Sequence, residues 1–342
     1  MEEKPLLHLL TGEPVSRMPI WLMRQAGRYL PEYRAVREKA GSFLNLCLTP
    51  DLASEVTLQP VKRFGLDAAI VFADILLVPL ALGRKPVFKE GEHPRIEPVR
   101  DEKSLGKLRW KIESLAPVFE TLRSMESGLP ESVTRIGFAG GLWTVAGYMV
   151  DGDSASGFSS LLSKTGEDPA FLDKLIDILH DATVEYLGRQ IESGAEVIQL
   201  FDSWAGLLQG QNFKRWVIEP TRQLVGSLKK EYPDVPIIGF PRGAQPDDYK
   251  AYLEQTGVDA LSLDQNISLS FARKELQPLK TLQGNLDPKL LLEGGDQMRR
   301  AVDEIIATMG PRHIMNLGHG ILPETPPEHV ARLVEQVRTW AG

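Results

Sequence analysis

Two arginines four residues apart, Arg24 and Arg28, place fixed positive charge where an apolar run stops. The run is Met18-Pro-Ile-Trp-Leu-Met23. Gly27 lies between the two cations, Tyr29 beside them, and Pro31 opens a polar helical pattern. Arginine's planar fork binds carboxylates and phosphates bidentately and keeps its charge at any working pH. A strand ending in two such forks and a flexible glycine is a candidate anion site. The alternative is a surface turn whose arginines are solvated or paired with nearby acids.

Further polar residues end other apolar runs. Asp74 follows Asp67-Ala-Ala-Ile-Val-Phe-Ala73 and precedes Ile75-Leu-Leu-Val-Pro-Leu-Ala-Leu-Gly83. It is either a helix cap or a lone carboxylate at the mouth of a hydrophobic wall, a costly placement without donors. His319 sits in Asn316-Leu-Gly-His-Gly320, where glycines let backbone approach a ligand; a capped turn histidine is the plainer reading. Tyr148 is a packing residue or a phenol offered to a ligand. Asp202-Ser203, Pro241-Arg242, Asp264 and Asn285 end other runs, and Asp74, Asp202 and Asp264 could supply the acid pair of a glycosidase. No lysine ends a strand, since Lys280 begins one, so a Schiff-base aldolase is poorly supported. The single cysteine, Cys47, excludes an internal disulfide or thiolate cluster, and the histidines lack H-x-H or H-x-x-x-H spacing, so no metal site is expected.

The elements that must position these residues alternate along the chain. Strand patterns fall at 18–23, 67–73, 133–139, 196–201, 236–240, 259–263, 280–284 and 313–317. Their near-continuous apolar character marks strands buried on both faces. Helical patterns lie between them, at 31–40, 51–64, 111–127, 169–193, 212–231, 247–256, 270–276 and 296–309. A final helix opens at Thr325-Pro-Pro-Glu328, which reads as a capping box. Eight βα units in 342 residues, with no G-x-G-x-x-G or Walker turn, predict a single α/β domain folded as a (β/α)8 TIM barrel. An insert at about 75–131 separates strands 2 and 3. Chemistry in such barrels gathers at the C-terminal strand ends, where the polar residues named above fall.

Composition narrows the partners. The chain is 42% hydrophobic and 25% charged, with a net charge of −7 and no general basic face for nucleic acid. An anionic ligand must then be held by a local arginine cluster acting against the mean field. No apolar stretch reaches the roughly 20 residues of a membrane span, and the N-terminus lacks a signal-peptide pattern, so a cytoplasmic location is expected.

Five segments together resemble the uroporphyrinogen decarboxylase family. They are Pro19-Ile-Trp-Leu-Met-Arg-Gln-Ala-Gly-Arg-Tyr-Leu-Pro-Glu-Tyr33, Thr57-Leu-Gln-Pro60, Leu66-Asp-Ala-Ala-Ile-Val-Phe-Ala-Asp-Ile75, Gln199-Leu-Phe-Asp-Ser203 and Asn316-Leu-Gly-His-Gly320. The resemblance implies a homodimeric (β/α)8 enzyme of haem biosynthesis that works without a cofactor. Its substrate would be uroporphyrinogen III, whose four acetate carboxyls leave as carbon dioxide to give coproporphyrinogen III. It further implies that Arg24, Gln25, Ala26, Gly27 and Arg28 line the substrate cleft and that Phe43 is an aromatic contact. Asp74 would be the central carboxylate, and Tyr148, Ser203 and His319 the remaining substrate contacts. The family varies between Ser and Thr at the position of Ser203, and Gly239-Phe-Pro-Arg-Gly-Ala244 matches no signature of it. Two other readings stand beside this one: a zinc-dependent corrinoid or folate methyltransferase on a related barrel, which would need a His/Cys metal set, and a non-catalytic tetrapyrrole-binding protein.

Overall fold

In a computed structural model, which describes residues 3–89 and 93–339, the apolar runs become seven parallel strands joined in one curled sheet in sequence order. These are β1 (Ala68–Ile70), β2 (Thr134–Gly140), β3 (Val197–Asp202), β4 (Ile237–Pro241), β5 (Ala260–Ser262), β6 (Thr281–Leu286) and β7 (His313–Leu317). Each pairs in parallel with the next, as Ile136 with Val197 and Asn285 with Asn316. Helices cover the outer face, so the strands are buried on both sides, the condition their unbroken apolar runs imply.

The eighth expected strand, at 18–23, is not a strand by ladder: only an isolated parallel bridge joins Ile20 to Met315. Its backbone is nevertheless held on both flanks. Trp21 N donates to Met315 O (3.3 Å) and Met315 N to Pro19 O (2.8 Å), while Asp67 N donates to Ile20 O (2.9 Å). Pro19 removes one ladder donor and the chain turns sharply at Arg24, which limits regular pairing to a single step.

Inside the sheet an apolar layer takes side chains from most strands, including Ala68, Ile136, Val197, Ile238, Ala260 and Ile314. Leu6 and Leu9, from the helix Pro5–Thr11, seal it from the N-terminal side. Toward the strand C-termini a buried polar layer follows. Trp21 Nε1 donates to Gln283 Oε1 (2.7 Å), and Gln283 Nε2 donates to Gln199 Oε1 (3.1 Å) and Ser262 Oγ (2.5 Å). A satisfied network of this kind fixes strand register where a purely apolar layer would tolerate slippage.

Several helical expectations need correction. The segment Trp143–Tyr148, expected at the end of the third strand pattern, lies within a helix (Leu142–Asp151). Its nine leading residues are all buried, so no polar face marks its period in the sequence. The apolar stretch after Asp74 likewise contains a short buried helix, Leu77–Ala81. The last helix does begin with proline at its first position, Pro327. The capping box does not form, because Pro326 intervenes and the buried Thr325 hydroxyl has no hydrogen-bond partner. The long helix is as expected: Pro169–Glu192, with Asp168 capping Phe171 N and Gly194 at φ 105° just past its end.

One buried ion cluster pins the bridge segment. Asp67, 3% exposed, accepts from Arg17 (2.6 and 2.8 Å), from Arg338 Nη2 (2.9 Å) and from Ile20 N (2.8 Å). Removing one partner of such a cluster strands the others. Asp67→Ala is therefore expected to cost about 3 kcal/mol of unfolding free energy, measured by urea titration. A loss within experimental error of zero would show that the cluster does not anchor the segment.

Candidate active site

The turn after the bridge segment puts Arg24 at φ 62°, a left-handed conformation that a long side chain adopts only when its surroundings hold it there. Those surroundings are the end of β7 and the loop beyond it. Asn316 Oδ1 accepts from Met23 N (3.0 Å), and Ile321 N donates to Met23 O (3.0 Å). Gly320 lies so close that a Cβ there would sit 2.3 Å from Arg24 Cδ and 2.9 Å from its Nε. The Asn316–Gly320 motif is thus the bed on which the Arg24 side chain rests.

The residues of 24–28 divide by task. Arg24 and Arg28 both expose their side chains, and neither makes an ion pair among the described residues. Gln25 is buried and its amide is spent on backbone: Nε2 donates to Ala68 O (3.0 Å) and Oε1 accepts from Leu22 N (3.1 Å). Its expected part in a binding cleft is thereby confined to backbone, since the side chain ties the turn to β1. Ala26 is half-buried against the core. Gly27 is needed for clearance, because a Cβ there would meet Arg24 O at 2.9 Å.

Asp74 follows β1 and is half-buried. It does not cap the following helix, Leu77–Ala81, whose N-cap is Leu76 without a side-chain hydrogen bond. Its Oδ1 accepts from Leu76 N (2.8 Å) and its carbonyl from Leu77 N (3.2 Å), which closes the turn before that helix. That leaves Oδ2 with no hydrogen bond among the described residues. Burial raises its pKa to about 6, against the pull of the Leu76 N–H and of the Arg24 charge. The same crowding lowers the pKa of Arg24, which Asp74 partly restores.

Around this pair stand Tyr148 and His319. Tyr148, on the helix Leu142–Asp151, is 8% exposed and packs edge-on against Phe158 at 5.1 Å. Burial raises its pKa; Ser154 opposes the rise, and the neighbouring Asp74 charge adds to it. His319 is half-buried, and burial with the nearby Arg242 and Arg24 charges lowers its pKa to about 3. Its imidazole is therefore neutral at working pH. Phe43 begins the short helix Phe43–Cys47 and joins an aromatic wall with Phe72 (5.6 Å) and Phe88 (4.8 Å), two residues from Asp74 along the chain at Phe72. Ser203 lines an adjoining cavity of about 150 Å³ with Trp204, Leu207 and Arg242.

Two other strand-end acids are committed to hydrogen bonds with neighbouring loops. Asp264, 1% exposed, is saturated by Gly243 N (2.7 Å), Tyr249 OH (2.9 Å) and Asn266 N (2.8 Å). Asp202, 2% exposed, accepts from Thr144 N (3.1 Å) and Thr144 Oγ1 (2.5 Å) and so secures the first turn of the Tyr148 helix. A glycosidase pair is thus not assembled, for these carboxylates hold loops. Asn285, bonded to Asp264 O and Ile267 O, is also structural. Among the described residues no group of three His, Cys, Asp or Glu side chains is placed to hold a metal ion. No helix among them is long and apolar enough to cross a membrane.

Polar side chains gathered at the C-terminal edge of a parallel curled sheet, Arg24 and the half-buried Asp74 among them, are the arrangement of an α/β-barrel-like protein. Comparison with known proteins narrows the class. A family sequence model described as "Uroporphyrinogen decarboxylase (URO-D)" matches residues 1–340. The uroporphyrinogen decarboxylase of Rhodospirillum rubrum is 52% identical over 342 residues, covering 98% of this chain and 97% of that one. That of Paracoccus denitrificans is 48% identical, covering 99% and 100%. The chain belongs to the uroporphyrinogen decarboxylase family. Among solved structures, a methyltransferase from Methanosarcina mazei superposes with a TM-score of 0.78 at 20% identity, covering 98% of this chain and 97% of that one. A B12-independent methionine synthase from Shewanella gives 0.54 at 12% identity, covering 84% and 87%. At these identities the likeness concerns the barrel-like fold alone.

The bed under Arg24 yields a direct test. Gly320→Ala would push the arginine stem out of place and is expected to raise KM for the substrate roughly tenfold, about the strength of one charge-assisted hydrogen bond. Gly226→Ala, at a helical position with open space around it, serves as the control and should leave KM unchanged. Equal KM values in the two variants would show that Arg24 does not depend on this contact.

Proposed function

We propose that this chain decarboxylates the acetate side chains of uroporphyrinogen III to give coproporphyrinogen III, with Asp74 as the central catalytic group. Family membership at about half identity over the whole chain carries the reaction. The observation that supports the assignment of roles is the desolvated Asp74 carboxylate with a free oxygen beside Arg24.

The chemistry needs little from the protein beyond charge placement. A proton added to the ring carbon beside the acetate-bearing carbon turns the pyrrole into a cation. The bond to the carboxylate then breaks, carbon dioxide leaves, and the electron pair passes into the ring to give an exocyclic methylene. A second proton on that methylene and loss of the first restore an aromatic pyrrole bearing a methyl group. The net exchange is one carbon dioxide for one proton at each acetate. The pyrrole is its own electron sink, so the step calls for no prosthetic group.

Asp74, acceptor-only when ionised, takes hydrogen bonds from the pyrrole N–H groups and stabilises the ring cation. Its low-water setting makes that interaction stronger than it would be in solution. Arg24 and Arg28 hold substrate carboxylates and set which acetate lies over Asp74. Gln25, Ala26 and Gly27 contribute backbone to the same edge, and Phe43 lends an apolar face. Ser203 offers a hydroxyl, and Tyr148 and His319 stand at the site as polar contacts. Neutral His319 accepts a hydrogen bond without adding repulsion to the arginines. The segment around Ile20, hydrogen-bonded to Met315 on one side and Asp67 on the other, serves as the eighth stave that closes the barrel. The resemblance also supports a homodimer, which sedimentation of the purified protein would test.

Under anaerobic conditions the protein converts uroporphyrinogen to products with fewer carboxyls, and Asp74→Asn lowers kcat roughly a hundredfold or more while keeping the fold. Ionising Asp74 is unfavourable in the folded state, because its pKa is raised. Stability is therefore lost as pH climbs from the ordinary carboxylate range through about 6. The asparagine variant should thus be at least as stable as the parent at pH 8. Turnover in that variant at parental rates would sink the role of Asp74. Since only the ionised carboxylate works, kcat/KM of the parent should fall about tenfold per unit below pH 6. Asp202, whose carboxyl burial also raises to about 6, is the competing source, so the limb must persist in Asp202→Asn.

A further inference from the structure

Arg242 stands at the C-terminal end of β4, in the one strand-end segment that matches no family signature. Its backbone is fixed from three sides. Arg242 N donates to Asp202 O (3.1 Å), its carbonyl accepts from Gly206 N (3.0 Å), and the next residue's N–H is held by the Asp264 carboxylate (2.7 Å). The two loops are pressed so closely that a Cβ on Gly206 would meet Gly243 O at 2.2 Å. The floor of the cavity is therefore rigid, and the guanidinium rising from it is placed in advance of any ligand.

That guanidinium is under-used. One nitrogen, Nη1, donates to Ser203 O at 3.3 Å, while Nε is buried without a hydrogen-bond partner. No ion pair joins it to an acid among the described residues, and Asp264, which lines the same cavity, is held by three other donors. A half-buried cation with an unsatisfied donor is costly unless a ligand completes it. Its electrostatic neighbourhood is informative. His319 and Arg24 both lie within electrostatic reach of Arg242. Asp74, the carboxylate that would do the chemistry, is not among the residues that line the Arg242 cavity.

The cavity itself holds about 150 Å³, room for about five waters at ~30 Å³ each. That is room enough for one carboxylate side arm of a tetrapyrrole. Trp204 and Leu207 offer apolar wall to a short methylene stem, and Arg242, Ser203 and Asn266 offer the polar end. Asp264 also lines the cavity, with both carboxylate oxygens engaged by Gly243 N, Tyr249 OH and Asn266 N.

We infer that Arg242 and this cavity form a side-arm pocket that holds a propionate of the substrate, a carboxylate the reaction never removes. The inference rests on the proposed reaction. An acetate must come to Asp74 to react, so an anchor in a cavity that Asp74 does not line is suited to an arm that persists through every round. A propionate reaches one carbon further than an acetate and keeps its charge in substrate, intermediates and product alike. Arg242 is in this account a specificity residue that contributes to binding equally at each round and leaves the barrier to carbon dioxide loss alone.

The test compares the parent enzyme with Arg242→Met and Arg242→Lys under anaerobic conditions. KM and kcat are measured for uroporphyrinogen and for the partly decarboxylated porphyrinogens, and the inhibition constant is measured for coproporphyrinogen. In Arg242→Met, every KM and the inhibition constant should rise by one common factor, on the order of tenfold. kcat should stay within about threefold of the parent, and Arg242→Lys should recover much of the loss. Arg242→Gln, which keeps a donor for Ser203 O, should show the same common factor and guards against a folding failure of the methionine variant. Three results overturn the inference: unchanged KM values, a fall in kcat with KM unmoved, or a penalty that shrinks as acetates are lost. Failure of the parent enzyme to decarboxylate uroporphyrinogen is a separate result, and it would strike the proposed reaction itself.

Discussion

The cost of keeping a carboxylate charged in a water-poor cleft is the constraint on which this structure turns. Asp74 has one backbone donor on Oδ1, an arginine within electrostatic reach, and crowding enough to lift its pKa to about 6. With more donors it would be a quiet helix cap; with none it would be protonated at working pH. The intermediate state leaves an oxygen free, charged at neutral pH and poorly solvated, which is the condition for strong binding of N–H donors and of a developing cation. Arg24 shares the constraint from the other side, since its own charge is disfavoured by burial and helped by Asp74.

Most of the molecule can be understood as the means of holding that pair. The Asp67 cluster and Met315 fix the bridge segment, Asn316 fixes Met23, and Gly320 gives the Arg24 stem its space. On the opposite side Asp202 grips Thr144 and so seats the helix that carries Tyr148, while Asp264 pins the loop after Arg242. Several strand-end polar residues therefore serve the site without touching a ligand. Asp202 and Asp264 thus end strands as loop anchors.

The strand order was legible in the sequence, because parallel strands buried on both faces produce unbroken apolar runs and seven of the eight expected runs pair. The eighth run, at 18–23, failed as a ladder for a local reason, Pro19 and the sharp turn at Arg24, which hydropathy does not register. The helix at 142–151 was hidden because burial on all sides erases the 3.6-residue period. Arg24, Arg28, Asp74 and His319 were singled out as candidates from residue type and position at strand ends, and the structure places Arg24, Asp74 and His319 within electrostatic reach of one another or of Arg242. What the sequence could not separate was the facing of each acid. Asp74, Asp202 and Asp264 look alike in one dimension, and only the donors around each tell cleft from scaffold. Arg242 was noticed at its strand end but had no assigned part, since its lack of a counter-ion is a property of three-dimensional neighbours.

The most direct measurement of the central claim is the titration of the Asp74 carboxyl itself. Infrared difference spectra of the parent protein minus Asp74→Asn isolate that group across pH. The account predicts a midpoint near 6 in the free protein, and a shift to lower pH when a porphyrinogen product binds and its pyrrole N–H groups donate to the carboxylate. A midpoint in the ordinary carboxylate range that ligand leaves unmoved would contradict it.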